Sequence, residues 1–383
     1  MPAKDAIYRG FSSPYEFLDD MFLETVAVEY ARGFAERFVC RCRRNWDSQS
    51  RELLHFLQQC LEERWSFDTV WDDSFGLVRR AVRDLPTFGL MRTAATLGMR
   101  MLECGQQGEW EIELETPVRL RWDNVLLPRA SWIRVTGARA GATILYRNRA
   151  CKQRIKIRRS KGGWQSDGLD ALSTIDKDGH RYILAFGEAV DALTLHSVPK
   201  LKSTSMDLAQ HKLLRALDLL TQFAPIYSPW VGRVLRMIIP VKSRRNTIVS
   251  GSDQDHPGTV YLSIHCSPVA IAEMLIHEAT HQYFYLLSRC GALDDGSSKL
   301  FYSPIKRTKR PIRMILLAHH AFGNVLLFYR LCRQKGLSDA GYCERHEAQL
   351  APQVQRLQDT LASANRLTPL GDALWQPLAS RLD

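Results

Sequence analysis

A chain of 383 residues with 45% hydrophobic and 24% charged side chains can bury a sizeable core, which excludes a disordered chain. Its net charge of +11 favours anionic partners, and nine cysteines without a CxxC pair argue for free thiols in a reducing compartment and against a cysteine-rich zinc site. The opening residues lack a basic stretch, an apolar run and a small-residue cleavage site, so a cytoplasmic location is expected.

Residues 1–105 are predicted to be helical. Ser13, Pro14 and Glu16 combine a capping box with proline at the first helical position, and an amphipathic run follows toward Cys42. A second helix is predicted from Gln49 to Arg64, and shorter ones between Asp72 and Leu102. From Trp110 the period changes to two in "WEIELETPVRLRW", "SWIRVTG", "ATILYR" and "QRIKIR". Turn signals at Gly162-Gly163 and Asp167-Gly168 separate these from "RYILAFG" and "DALTLHSV", which completes a strand-rich region over 106–200.

Helical periodicity returns at Asp207, "IIPV" and "TVYLSI" are strand-like, and the last third is helical to Leu361. The predicted class is α+β, with a helical N-terminal part, a strand-rich middle and a helical C-terminal HExxH metal-binding unit over 201–383. The greasiest stretch, "MILLAHHAFGNVLLFYRLC", carries two histidines and an asparagine and reads as a buried helix with no membrane role. Basic residues concentrate in 152–161, 242–246 and 306–310. These read as solvated surface or as a site for an acidic peptide, and no nucleic-acid motif accompanies them.

The chemistry lies in "LIHEATHQYF", residues 275–284. Ser267 is a good N-cap, Pro268 suits the first helical position, and Gly291 is a stop, so a helix is predicted from 268 to about 289. His277 and His281 then fall one turn apart and converge on one ion, with Glu278 near its open position. The alternative is a pair of neutral core histidines satisfied by hydrogen bonds, a costly use of three polar groups.

A third ligand must come from elsewhere. The extended HExxHxxGxxH signature is absent, because position 284 is Phe. Glu344 and Glu347 lie on a polar helix that looks exposed. His319 and His320 are better placed, and His320 is preferred because it shares a helical stripe with Arg313 and Asn324, a polar line expected to face a site. Zn(II) and Fe(II) both suit such ligands, and spacing does not choose between them.

From about Trp230 onward the chain resembles a family of HExxH-containing proteins found with ribosomally made, post-translationally modified peptides. These are described as iron- and 2-oxoglutarate-dependent peptide β-hydroxylases. The likeness is carried by "TVYLSIHCSPVAIAEMLIHEATHQYFYLL", by Tyr302, Ser303-Pro304-Ile305-Lys306 and Arg310-Pro311 at the family's spacing, by "HAFGNVLLFYR", and by "LTPLGDAL". Ile305 and Lys306 depart from the Trp and Arg that the family favours, and a lysine cannot supply a bidentate guanidinium.

The resemblance implies Fe(II) held by His277, His281 and His320, with 2-oxoglutarate as cosubstrate. Its distal carboxylate would meet Arg310 or Arg313, with Ser303 in the same cofactor-binding group. The substrate would be a precursor peptide paired along "TVYLSI", with an acidic leader suited to the basic patches. Glu278 would orient a ligand or bind iron. Two alternatives stand beside this: a zinc metallopeptidase with Glu278 as general base, and a non-catalytic basic binding module in which HExxH is structural.

Overall fold

The structure is a computed structural model that describes residues 6–46, 50–83, 89–138, 140–148, 151–160, 163–169, 171–187, 190, 205–242, 248–337 and 340–383. Helices occupy both ends and strands the middle, the α+β arrangement expected from the periodicities.

The N-terminal helices are α1 (Ala6–Arg9), α2 (Asp20–Asn45), α3 (Arg51–Glu62), α4 (Phe67–Val70), α5 (Asp73–Arg83) and α6 (Leu90–Glu103). The first long one begins later than the Ser13 motif predicts. Asp19 caps α2, its Oδ1 accepting from the backbone nitrogens of Met21 at 2.9 Å and Phe22 at 3.1 Å. The segment before it is a buried turn held by the far end of the chain, with Ser12 Oγ donating to Leu374 O at 2.7 Å. Local cap chemistry lost to tertiary demand, because buried backbone needs partners wherever they lie.

The first sheet is antiparallel in the order β1 (Gly108–Val118), β4 (Ala130–Ala138), β5 (Gly141–Asn148), β6 (Cys151–Ser160), β7 (Gly163–Ser166), with β2 (Arg121–Trp122) and β3 (Val125–Leu126) forming a separate ribbon. Alternation fixes its faces: Ala142, Ile144, Tyr146, Ile155 and Ile157 point inward. The basic run therefore lies across a solvated face, since Lys152, Arg154, Lys156 and Arg158 are exposed along β6.

The second sheet runs β11 (Ser250–Ser252), β12 (Thr259–Ser263), β10 (Met237–Val241), β9 (His180–Leu184), β8 (Thr174–Lys177). The central β10 is parallel to both neighbours. Because β9 and β10 pair, this sheet joins the middle of the chain to its last third. "TVYLSI" corresponds to β12, which is flanked on both sides, so it has no free edge for a peptide. That is a correction: the edge strand is the short β11. The predicted strand in 191–198 and the basic residues 243–246 lie outside the described residues.

The C-terminal helices are α7 (Met206–Phe223), α8 (Tyr227–Val234), α9 (Pro268–Leu287), α10 (Ile312–Gln334), α11 (Ala340–Ala364) and α12 (Pro369–Leu382), with a hairpin of β13 (Leu300–Ser303) and β14 (Thr308–Pro311) before α10. Helix α9 packs between α7 and α10 and is apolar nearly all round, as a core helix must be. Helix α10 is long and apolar enough to cross a membrane by composition, yet 78% of its apolar window is buried inside the protein.

Candidate metal centre

Helix α9 starts as its sequence dictates: Pro268 occupies the first turn and Ser267 Oγ accepts from Ala270 N at 3.3 Å. One turn separates His277 from His281, and their rings meet edge to face with centroids 4.6 Å apart. The ligating atoms of His277, Glu278 and His281 all lie within 4.8 Å of one another. Both histidines keep partial solvent contact, whereas Glu278 is only 1% exposed. Phe322 packs against His277 at 4.9 Å and Tyr285 stacks on His281 at 6.2 Å, so aromatic walls surround the rings.

Burial, reinforced by the positive charge of Lys306, pushes the His277 imidazole down to about 4. Burial also lowers His281 well below its usual value, with His277, His320 and Lys306 adding to the effect. Both rings are thus neutral at physiological pH, the form that binds a metal. A pair of satisfied core histidines would need hydrogen-bond partners for each ring, but His281 Nδ1 is buried with none. Two imidazoles and a carboxylate, partly open on one side, fit the donor set of zinc or non-haem iron.

Glu278 is held by two serines. Its Oε1 accepts from Ser250 Oγ and its Oε2 from Ser252 Oγ, each at 2.7 Å. Burial raises its carboxyl to about 7 even though both hydroxyls favour the anion. No cation among the described residues pairs with it. Alternate residues on a strand face one way, which is why Ser250 and Ser252 act together. Between them, Gly251 lies opposite Tyr261 in the ladder, and a Cβ there would strike the Tyr261 hydroxyl. Sequence reasoning missed this pair; the signal was the i, i+2 hydroxyls of "SGS" on a strand paired next to the HExxH-bearing segment.

His320 is not in the cluster, a correction to the expected third ligand. Its Nε2 lies 3.0 Å from Phe11 O and 2.9 Å from Ser12 O. Asn324 Nδ2 donates to the same Ser12 carbonyl at 2.9 Å, and Tyr227 Oη donates to Asn324 Oδ1 at 3.1 Å. The polar stripe on α10 therefore clasps the N-terminal turn. Arg313, the third member of the stripe, is exposed. His319 is also buried, lowered to about 4, and sits by Gln358 and Asp383 near the chain end. Glu347 pairs with Arg330 at 3.4 Å, and Glu344 is exposed.

The cosubstrate candidates separate as well. Ser303 is buried and its Oγ accepts from Lys306 N at 3.4 Å, so it shapes the hairpin turn. Arg310 stands opposite Phe301 in that hairpin, and the Arg313 guanidinium covers the Phe284 ring at 5.6 Å. Lys306, in the hairpin turn, is the lysine whose charge acts on both HExxH histidines. No family model and no curated protein matches the chain.

Proposed function

We propose that the chain is a metal-dependent enzyme acting on a peptide: an Fe(II)- and 2-oxoglutarate-dependent hydroxylase of side-chain β-carbons in a ribosomally made precursor. The observation that carries the reading is the His277-Glu278-His281 group, whose buried carboxylate has no cation among the described residues to balance it. With the His320 Nε2 facing two backbone carbonyls, Glu278 is the natural third donor, and two histidines plus one carboxylate are the usual ligands of non-haem Fe(II) oxygenases. Iron held there would supply the oxidising chemistry, with O₂ and 2-oxoglutarate as co-reactants.

The chain's own residues have definable tasks in this scheme. Lys306 offers a positive charge to a carboxylate of the cosubstrate, replacing the arginine grip that the family resemblance implies. Phe322 and Tyr285 shield the histidines from water. The edge strand β11 gives a substrate peptide a ladder to extend, on the strand whose serines hold Glu278. The free cysteines among the described residues accord with a reducing compartment, where Fe(II) persists.

One observation favours a second reading. A carboxyl raised to about 7 is well suited to general-base work at neutral pH, which is the task of this glutamate in a zinc peptidase. Anaerobic loading with Fe(II), followed by O₂, 2-oxoglutarate and a peptide encoded beside the gene, separates the two. A product heavier by one oxygen atom with consumption of 2-oxoglutarate supports the hydroxylase. Cleavage fragments without cosubstrate use establish the peptidase, and a chain that takes up neither iron nor zinc leaves only the basic binding module.

A further inference from the structure

A second, independent site lies away from the HExxH helix. The end of β6 and the start of β7, the turn between β8 and β9, the ends of α6 and α8, and the loop around α4 line a cavity of about 670 Å³. Pockets of that size hold small metabolites. This one is unusually rich in charge: five arginines line it against four carboxylates.

The charges are unequally committed. Arg100 is consumed by Glu103 at 2.9 Å and by the Asp68 and Thr69 carbonyls, and burial pushes Glu103 up to about 7, which weakens its negative charge. Arg181 uses only Nη1, on Asp123 at 3.0 Å, while its Nε and Nη2 are buried without a partner. Gly163, at φ +114°, brings its backbone against that guanidinium, and a Cβ at this position would collide with it. Arg159 has no ion pair among the described residues and lies 5.9 Å from the Trp164 ring centroid. Arg236 pairs with Asp68, which is 81% exposed, so the pair is weak and displaceable. Arg233 pairs through Nη2 with the exposed Asp20 at 2.8 Å and keeps its Nε buried and unpartnered. A positive field results, and it contributes, after burial, to the lowering of the His180 imidazole.

We propose that this cavity binds a small polyanion carrying at least two oxyanion groups, gripped by Arg159, Arg181, Arg233 and Arg236. Guanidinium forks suit phosphate and carboxylate alike, and a ligand with two such groups engages donors that the protein leaves idle. An apolar ligand would strand those donors.

The test uses the full chain, with inorganic pyrophosphate and citrate as separate calorimetric probes at low and high salt. Saturable binding of pyrophosphate identifies a phosphate ligand, and that of citrate a polycarboxylate. In either case Arg159→Gln and Arg181→Gln should raise Kd by at least about tenfold and leave the metal content of the HExxH site unchanged. Arg159 is exposed, so its variant remains informative if Arg181→Gln fails to fold. Failure of both probes to saturate, or equal affinity in parent and Arg159→Gln, would overturn the proposal.

Discussion

Two buried clusters of titratable groups in this chain are built on opposite plans. At the junction of α5, α6 and β2, Arg121 Nη2 bridges Asp72 at 3.1 Å and Asp73 at 2.6 Å, and Arg100 pairs with Glu103. Although burial opposes ionisation of Asp72, Arg100 and Arg121 overcome it and hold that carboxyl well below its usual range. In the HExxH cluster, among the described residues, Glu278 has two serine hydroxyls and no cation, and the buried Nδ1 of His281 has no hydrogen-bond partner. The first cluster balances its carboxylates with arginines, whereas Glu278 is held by hydroxyls alone among the described residues.

The contrast can be broken or sharpened by mutation. His277→Ala and His281→Ala should each reduce bound metal from one ion per chain to nearly none by elemental analysis, and activity should vanish with it; an active, metal-loaded His277→Ala would remove the site. In the paired cluster, Arg121→Met should cost about 3–5 kcal/mol in denaturant unfolding, because it strands two buried carboxylates.

Glu278→Gln should do the reverse in metal-free protein, stabilising it by about 2–4 kcal/mol at pH 8. The sign follows from the raised carboxyl. Folded Glu278 holds its proton up to about 7, from an ordinary value of 4.5, so its unfavourable contribution grows as pH rises through that window. The gain should accordingly disappear at pH 4.5, and urea titrations at the two pH values check it.

His320→Phe should lower stability by about 1–3 kcal/mol, since the Phe11 and Ser12 carbonyls lose a buried donor, while metal content stays at the parental level. Loss of metal in that variant would restore His320 as a ligand. Asp68→Asn should change stability by less than about 1 kcal/mol, because that carboxylate is exposed and its pair with Arg236 is screened.

The HExxH helix was legible because everything that specifies it is local. Ser267, Pro268 and the four-residue spacing of His277 and His281 lie within one element, and helix geometry does the rest. The strands of the first sheet were legible for the same reason, since alternation along β5 and β6 records which face is wet. The N-terminal turn was not. Ser13 and Glu16 carry a good helix-start pattern, but the carbonyls around them serve α10 from the far end of the chain.

His320 failed for a related reason. Helical spacing shows that His320 and Asn324 share a face, but it does not say what that face meets. The partner is the turn of Phe11 and Ser12, more than 300 positions away in sequence. Ser250 and Ser252 were overlooked because a three-residue strand has too little pattern to register.

By itself, the sequence determined the class of fold, the core helix and the convergence of two imidazoles with a carboxylate, all consequences of periodicity and short-range geometry. Only the tertiary structure decided which distant groups act on that cluster and which do not: two serines on an edge strand hold Glu278, a hairpin lysine adds its charge, and His320 is withdrawn to bind backbone. The physical reason is that side-chain direction is a local property, whereas the partner that satisfies a buried polar group is chosen by how the elements pack.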